Sequence, residues 1–146
     1  MALEDLYREV ILDHYRNPRN RAPLTRVDST AEGVNPLCGD EVTVELEFEG
    51  DRVSGVRVQG QGCSISQSSA SMMGTAIKGK SRAEVADLVR RFKGMMDIES
   101  DAAVVDPDRP GAVLGDLEAL QGVRQYPVRI KCANLAWTTL EEALSA

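Results

Sequence analysis

Residues 41 to 59, EVTVELEFEGDRVSGVRVQ, constrain the fold of this chain more than any other stretch. Apolar and polar residues alternate through EVTVELEF, EGD turns the chain, and RVSGVRVQ returns. A period of two places one parity on each face of a strand, and two such runs across a short turn form an antiparallel hairpin. Gly55 inside the second run marks an expected bulge. The inner parity also extends upstream, because Cys38 and Asp40 share it with Val42, Val44, Leu46 and Phe48. A carboxylate on an apolar face needs a partner, since burying an unpaired charge is costly or forces protonation. Asp40 is therefore the anomaly to be explained.

Helices are expected around this hairpin. LEDLYREVILDHYRNP has Leu3, Leu6, Tyr7, Val10, Ile11 and His14 at helical spacing and stops at Pro18. Residues 17 to 37 read as loop, with room for a short edge strand. After the hairpin, glycines lead to Cys63, and a small-residue helix, SISQSSASMM, runs on until Gly79 stops it. SRAE is a capping box, Ser81 with Glu84, opening a helix with apolar residues Val85, Leu88, Val89 and Phe92. Residues 94 to 116 are acidic and irregular, expected as an exposed loop inserted in the domain. Pro127 starts a last helix, with Leu135, Ala136, Leu140, Ala143 and Leu144 on its apolar face. The length of 146 residues suits one domain, 1–146. The order of elements predicts an α+β fold, a small antiparallel sheet of about three strands covered by helices.

Composition narrows the partners. Seventeen basic against 23 acidic residues give a net charge of −6, which argues against nucleic acid and anionic membrane. No apolar run is long enough to span a bilayer, and the acidic, amphipathic N-terminus lacks the pattern of a signal peptide. A cytoplasmic location is expected.

The three cysteines, Cys38, Cys63 and Cys132, are far apart, and no pair shows the spacing of a zinc ribbon. Each falls at the end of an element rather than inside an apolar stripe. Cys63 and Cys132 lie near expected helix N-termini, which lower a thiol's pKa. Gly39, Gly60 and Gly62 allow close backbone approach beside Cys38 and Cys63. Three thiolates and the Asp40 carboxylate make four ligands, enough for tetrahedral zinc or an iron–sulfur cluster. Asp40 would then be paired with a cation. Read singly, each cysteine is also a small buried hydrophobe, and Asp40 also a turn residue. His14, the sole histidine, reads as a packed, hydrogen-bonded side chain and not a ligand.

Five motifs together resemble the IscU/SufU (NifU N-terminal-like) family of iron–sulfur cluster assembly proteins. They are LYREVILDHYRNPRN, NPLCGDEV, GQGCSISQSSASMM, KGKS and YPVRIKCANLAW, in order along nearly the whole chain. The resemblance implies a SufE/IscU-like α+β fold with the site at one end, and a metal set of Cys38, Asp40, Cys63 and Cys132. IscU-type members carry a histidine directly before the third cysteine, where this chain has Lys131. That difference, with the long acidic insertion, resembles the SufU branch. The chaperone-recognition motif of the IscU branch is not intact in YPVRIK.

What the family implies is iron–sulfur cluster biogenesis beside a pyridoxal-phosphate cysteine desulfurase (SufS-like), with apo-proteins downstream. In the SufU-like case zinc is bound and the protein is a zinc-dependent sulfurtransferase, with Cys38 as persulfide acceptor on a Gly-flanked loop. In the IscU-like case it is a non-enzymatic scaffold on which iron enters and a transient [2Fe–2S] cluster is built. A third reading is a structural-zinc interaction module. Arg129 and Lys131, beside Cys132, are expected to orient Asp40 or dock the desulfurase.

Overall fold

A computed structural model describes residues 3–36, 39–96 and 114–145; nothing is described of the side chains of Leu3 and Glu4. The elements follow the expected order: α1 (Leu3–Arg16), β1 (Ser29–Asn35), β2 (Asp40–Glu49), β3 (Arg52–Gln61), α2 (Ser64–Ile77), α3 (Arg82–Met96), a 3₁₀ helix (Gly115–Gln125) and α4 (Pro127–Ser145). The sheet is antiparallel with strand order β1-β2-β3, so it grows by consecutive hairpins. The edge strand allowed for between residues 17 and 37 is β1. The irregularity beside Gly55 is real: Glu47 faces Gly55 and Phe48 faces Val53, leaving Ser54 as the extra residue of a bulge. The Ser54 hydroxyl donates to the Glu47 carbonyl (3.2 Å) and side chain (3.0 Å).

Parity decides which face of the sheet is covered. Val42, Val44 and Leu46 of β2, with Val53, Val56 and Val58 of β3, are all buried. Against them pack α4, across β1 and β2, and α2, across β3. α2 can lie between α1 and α4 because its faces are small: Ser66, Ser68, Ser69, Ala70 and Ser71 are all buried. Buried hydroxyls need partners. Ser69 Oγ accepts from the Trp137 indole N–H (3.1 Å) and donates to the Ala133 carbonyl (2.7 Å), tying α2 to α4. Trp137 in turn stacks on Phe92 of α3, with centroids 4.4 Å apart. Such a pair contributes about 0.5–1.5 kcal/mol beyond its area burial.

His14 is the buried, hydrogen-bonded side chain expected. Its Nδ1 lies 2.9 Å from Ser71 Oγ and its Nε2 lies 3.1 Å from Asp116 Oδ2, joining α1 to α2 and to the 3₁₀ helix. The acidic 94–116 stretch differs from the expectation at both ends. α3 continues through Met96, and the 3₁₀ helix begins at Gly115. Residues 97–113, which hold most of that expected loop, lie outside the described residues. The 3₁₀ helix is itself a correction, because no motif announced it. Its buried residues, Leu117, Glu118, Ala119, Leu120 and Val123, do not follow a 3.6-residue stripe.

Candidate metal centre

Asp40 is the first residue of β2 and is fully buried, on the face that the alternation assigned to it. Gly39 before it takes φ +71°, a left-handed conformation that glycine adopts without a steric penalty. At the far end of the hairpin, β3 delivers Cys63 to the same place. The Cys63 backbone N–H donates to Asp40 Oδ1 at 2.8 Å, and Cys63 Sγ lies 3.8 Å from Asp40 Oδ2. A buried carboxylate held by one amide remains a charge in need of a counter-charge. Among the described residues, no lysine or arginine forms an ion pair with Asp40.

Cys63 is also the N-cap of α2. Its backbone is extended (φ −72°, ψ 165°) and its sulfur accepts the Ser66 N–H at 3.5 Å. The amide dipoles opening α2 therefore face this sulfur. Cys132 lies in the second turn of α4, within the first turns where the sequence places it, and is fully buried, with Sγ 4.0 Å from the Val128 carbonyl one turn back. Asn35 Nδ2, from the end of β1, reaches the same sulfur at 4.0 Å. Three elements of the sheet and two helices thus converge on one spot.

The ligand atoms of Asp40, Cys63 and Cys132 all lie within 4.8 Å of one another. A tetrahedral zinc with Zn–S bonds of about 2.3 Å separates its sulfurs by about 3.8 Å, so a small contraction would close the site on an ion. The donor set fits as well: two thiols suit a soft or borderline cation, and a buried carboxylate adds compensating charge. Cys38 lies outside the described residues; the sequence puts it two residues before Asp40.

Arg129 and Lys131 are exposed at the start of α4, and neither forms an ion pair with Asp40 among the described residues. Arg129 lines a groove of about 460 Å³ beside the site, together with Tyr7, Ile11, Ile65, Val123 and Tyr126. Tyr126 and Val128, both about three-fifths exposed (62%), add apolar surface at the start of α4, and Val34, 59% exposed, adds it at the end of β1 beside Asn35. Sequence reasoning missed two participants, the Cys63 amide and Asn35: a backbone N–H has no residue signature, and Asn35 does not stand out in the sequence as a site residue. Gly62 is where the sequence expects a close backbone approach beside Cys63, and its neighbour is Asp40.

Residues 6–133 match the family described as NifU-like N terminal domain. The zinc-dependent sulfurtransferase SufU of Bacillus subtilis is 44% identical over 144 residues, covering 98% of this chain and 92% of that protein. The iron–sulfur cluster assembly scaffold protein IscU of Streptococcus pyogenes is 36% identical over 142 residues, covering 97% of this chain and 84% of the relative. The crystal structure of a SufU protein of Fervidobacterium islandicum superposes with a TM-score of 0.82 at 33% identity, covering 98% of this chain and 99% of that one.

Proposed function

We propose that this chain, which belongs to the NifU-like N-terminal domain family of iron–sulfur cluster assembly proteins, holds zinc and accepts persulfide sulfur from a cysteine desulfurase. The observation that carries the reading is the fully buried Asp40 carboxylate, with two thiols closing on it and, among the described residues, no lysine or arginine in an ion pair with it. Cys38, Asp40, Cys63 and Cys132 are the four ligands. Zinc, when bound, holds its thiols deprotonated and keeps them from reacting until a partner's group displaces one.

Cys38 is the acceptor. Cys132 is fully buried and Cys63 is fixed as the cap of α2, whereas Gly39, next to Cys38, faces open space. Once released, the Cys38 thiolate attacks the terminal sulfur of the donor's persulfide. The donor's S–S bond breaks, its cysteine leaves as a thiolate, and the new S–S bond carries the sulfur and its proton to Cys38. No net oxidation occurs, and the rules are those of thiol–disulfide exchange. The donor is a pyridoxal-phosphate enzyme of the SufS type. Arg129, Lys131 and the adjoining apolar groove form the surface on which it docks.

The test is desulfurase turnover with stoichiometric protein, with metal analysis alongside. One zinc per chain, stimulation by the wild type and its loss in Cys38→Ser are expected. Full stimulation by the serine variant removes Cys38 from the role. Persulfide found by mass spectrometry on any of the three cysteines removes the structural-zinc module. The scaffold reading is favoured by a separate observation, the 36% identity over 142 residues with a relative named as an IscU scaffold. It predicts a coloured [2Fe–2S] cluster after anaerobic reconstitution, transferable to an apo-ferredoxin.

A further inference from the structure

We infer that Gly62 is a positioning residue for the metal centre, holding Asp40 so that a single carboxylate oxygen faces the ion. The inference rests on the metal-binding reading above and adds a residue outside the ligand set. Gly62 has φ +146°, and a Cβ built on it would lie 2.2 Å from Asp40 Oδ1, 3.0 Å from Cγ and 2.9 Å from Cα. No real Cβ tolerates such distances, so the bare Cα of Gly62 forms one wall of the carboxylate's slot. The amide of the next residue, Cys63, donates to the same Oδ1 at 2.8 Å.

Oδ1 is therefore enclosed between the Gly62 backbone and the Cys63 N–H. Oδ2 is the oxygen turned toward the sulfurs, 3.8 Å from Cys63 Sγ. Asp40 is fully buried, so its carboxylate has no solvent into which to rotate. It binds through Oδ2 alone, as a one-point oxygen ligand among thiolates. A side chain at position 62 would push Oδ1 off the amide, freeing the carboxylate to turn. Outer-shell hydrogen bonds of this kind affect metal affinity by about 10–100-fold.

The experiment measures zinc affinity and zinc dissociation into a chromophoric chelator for the full chain and for Gly62→Ala, Asp40→Ala and the double variant. The visible spectrum of each cobalt-substituted form is recorded as well. Gly62→Ala should bind zinc about tenfold more weakly and change the cobalt spectrum, while the double variant should be no weaker than Asp40→Ala. Wild-type affinity in Gly62→Ala overturns the inference. So does an equal further loss in the Asp40→Ala background, because Gly62 would then act through the backbone and not through Asp40. If Gly62→Ala fails to fold, infrared spectra of the wild type with carbon-13-labelled aspartate, with and without zinc, decide. A wide separation of the two carboxylate stretches is the one-oxygen result, and a narrow, two-oxygen separation overturns it. A wild-type protein that binds no zinc defeats the metal reading itself, which is a different outcome from bound zinc that is indifferent to residue 62.

Discussion

Two helices that follow each other in this chain are capped in opposite ways. α3 is closed by its own residues: the Glu84 N–H donates to Ser81 Oγ (3.1 Å), and the Ser81 N–H donates back to Glu84 Oε1 (3.0 Å). α2 begins like a similar box, with Cys63 Sγ accepting the Ser66 N–H (3.5 Å) and Ser66 Oγ donating to the Cys63 carbonyl (3.1 Å). Its cap amide, however, goes to a carboxylate from the start of β2, 23 residues away in sequence. The first arrangement needs only four consecutive residues. The second forms only when the hairpin has brought Asp40 beneath the helix. Substituting a distant carboxylate for the local one costs α2 its independence and gives the metal centre a rigid attachment.

That contrast can be broken in order of effect. Cys63→Ala removes a proposed ligand and a cap together, and zinc affinity should fall by more than the roughly 100-fold that outer-shell changes reach. A chelator titration giving wild-type affinity would exclude Cys63 from the metal set. Asp40→Ala and Asp40→Asn separate the two duties of this residue. Both variants relieve the metal-free protein of a buried charge, but the alanine variant leaves the Cys63 amide unpaired and should be about 1–3 kcal/mol less stable in urea unfolding than the asparagine variant. Asparagine keeps an acceptor for that amide, so it should retain most of the stability while weakening zinc binding. Equal instability of the two variants would mean that the amide bond contributes little.

The local cap should behave differently. Ser81→Ala is expected to cost about 1 kcal/mol of stability and leave zinc affinity unchanged. The smallest effect concerns pH. Glu84 is held below its ordinary range, first by the Ser81 backbone N–H and then by the Ser81 hydroxyl. Its pKa is lower folded than unfolded, so its contribution is complete above the unfolded value of 4.5 and is lost as pH falls through the folded one. The melting temperature of Glu84→Gln should therefore fall less steeply on acidification than that of the wild type. Parallel curves would assign acid sensitivity to other groups, among them Asp28 and Asp13, whose pKa values are lowered chiefly by side-chain hydrogen bonds from Arg26 and Arg19 respectively.

The same difference explains what could be read from the sequence. The Ser81 box was legible because its signal lies within four residues. The hairpin was legible because alternation is local, and it placed Asp40 on the inner face correctly. That parity also showed that Asp40 needs a partner, and the three cysteines suggested a cation for it. The amide that holds Asp40 and the Asn35 contact with Cys132 were not legible, because each joins residues far apart in sequence through backbone or small groups; Gly62 was legible as a point of close approach, but not that Asp40 is what it approaches. Cys132 was legible in the first turns of the last helix, because Pro127 marks the helix start and the thiol follows five residues on. The 3₁₀ helix at Gly115–Gln125 carries neither a hydrophobic period nor a side-chain cap by which to find it.

Trp137 is the only tryptophan in the chain, and it lies five residues after Cys132 on α4, fully buried against Phe92 with its indole N–H on Ser69. The molecule thus contains one indole fluorophore, placed where α2, α3 and α4 meet. Its emission reports whether the helix bearing Cys132 is seated, independently of whether an ion is held. A variant that loses metal but keeps a buried indole spectrum has lost chemistry, and one whose emission shifts to the red has lost the packing of its core.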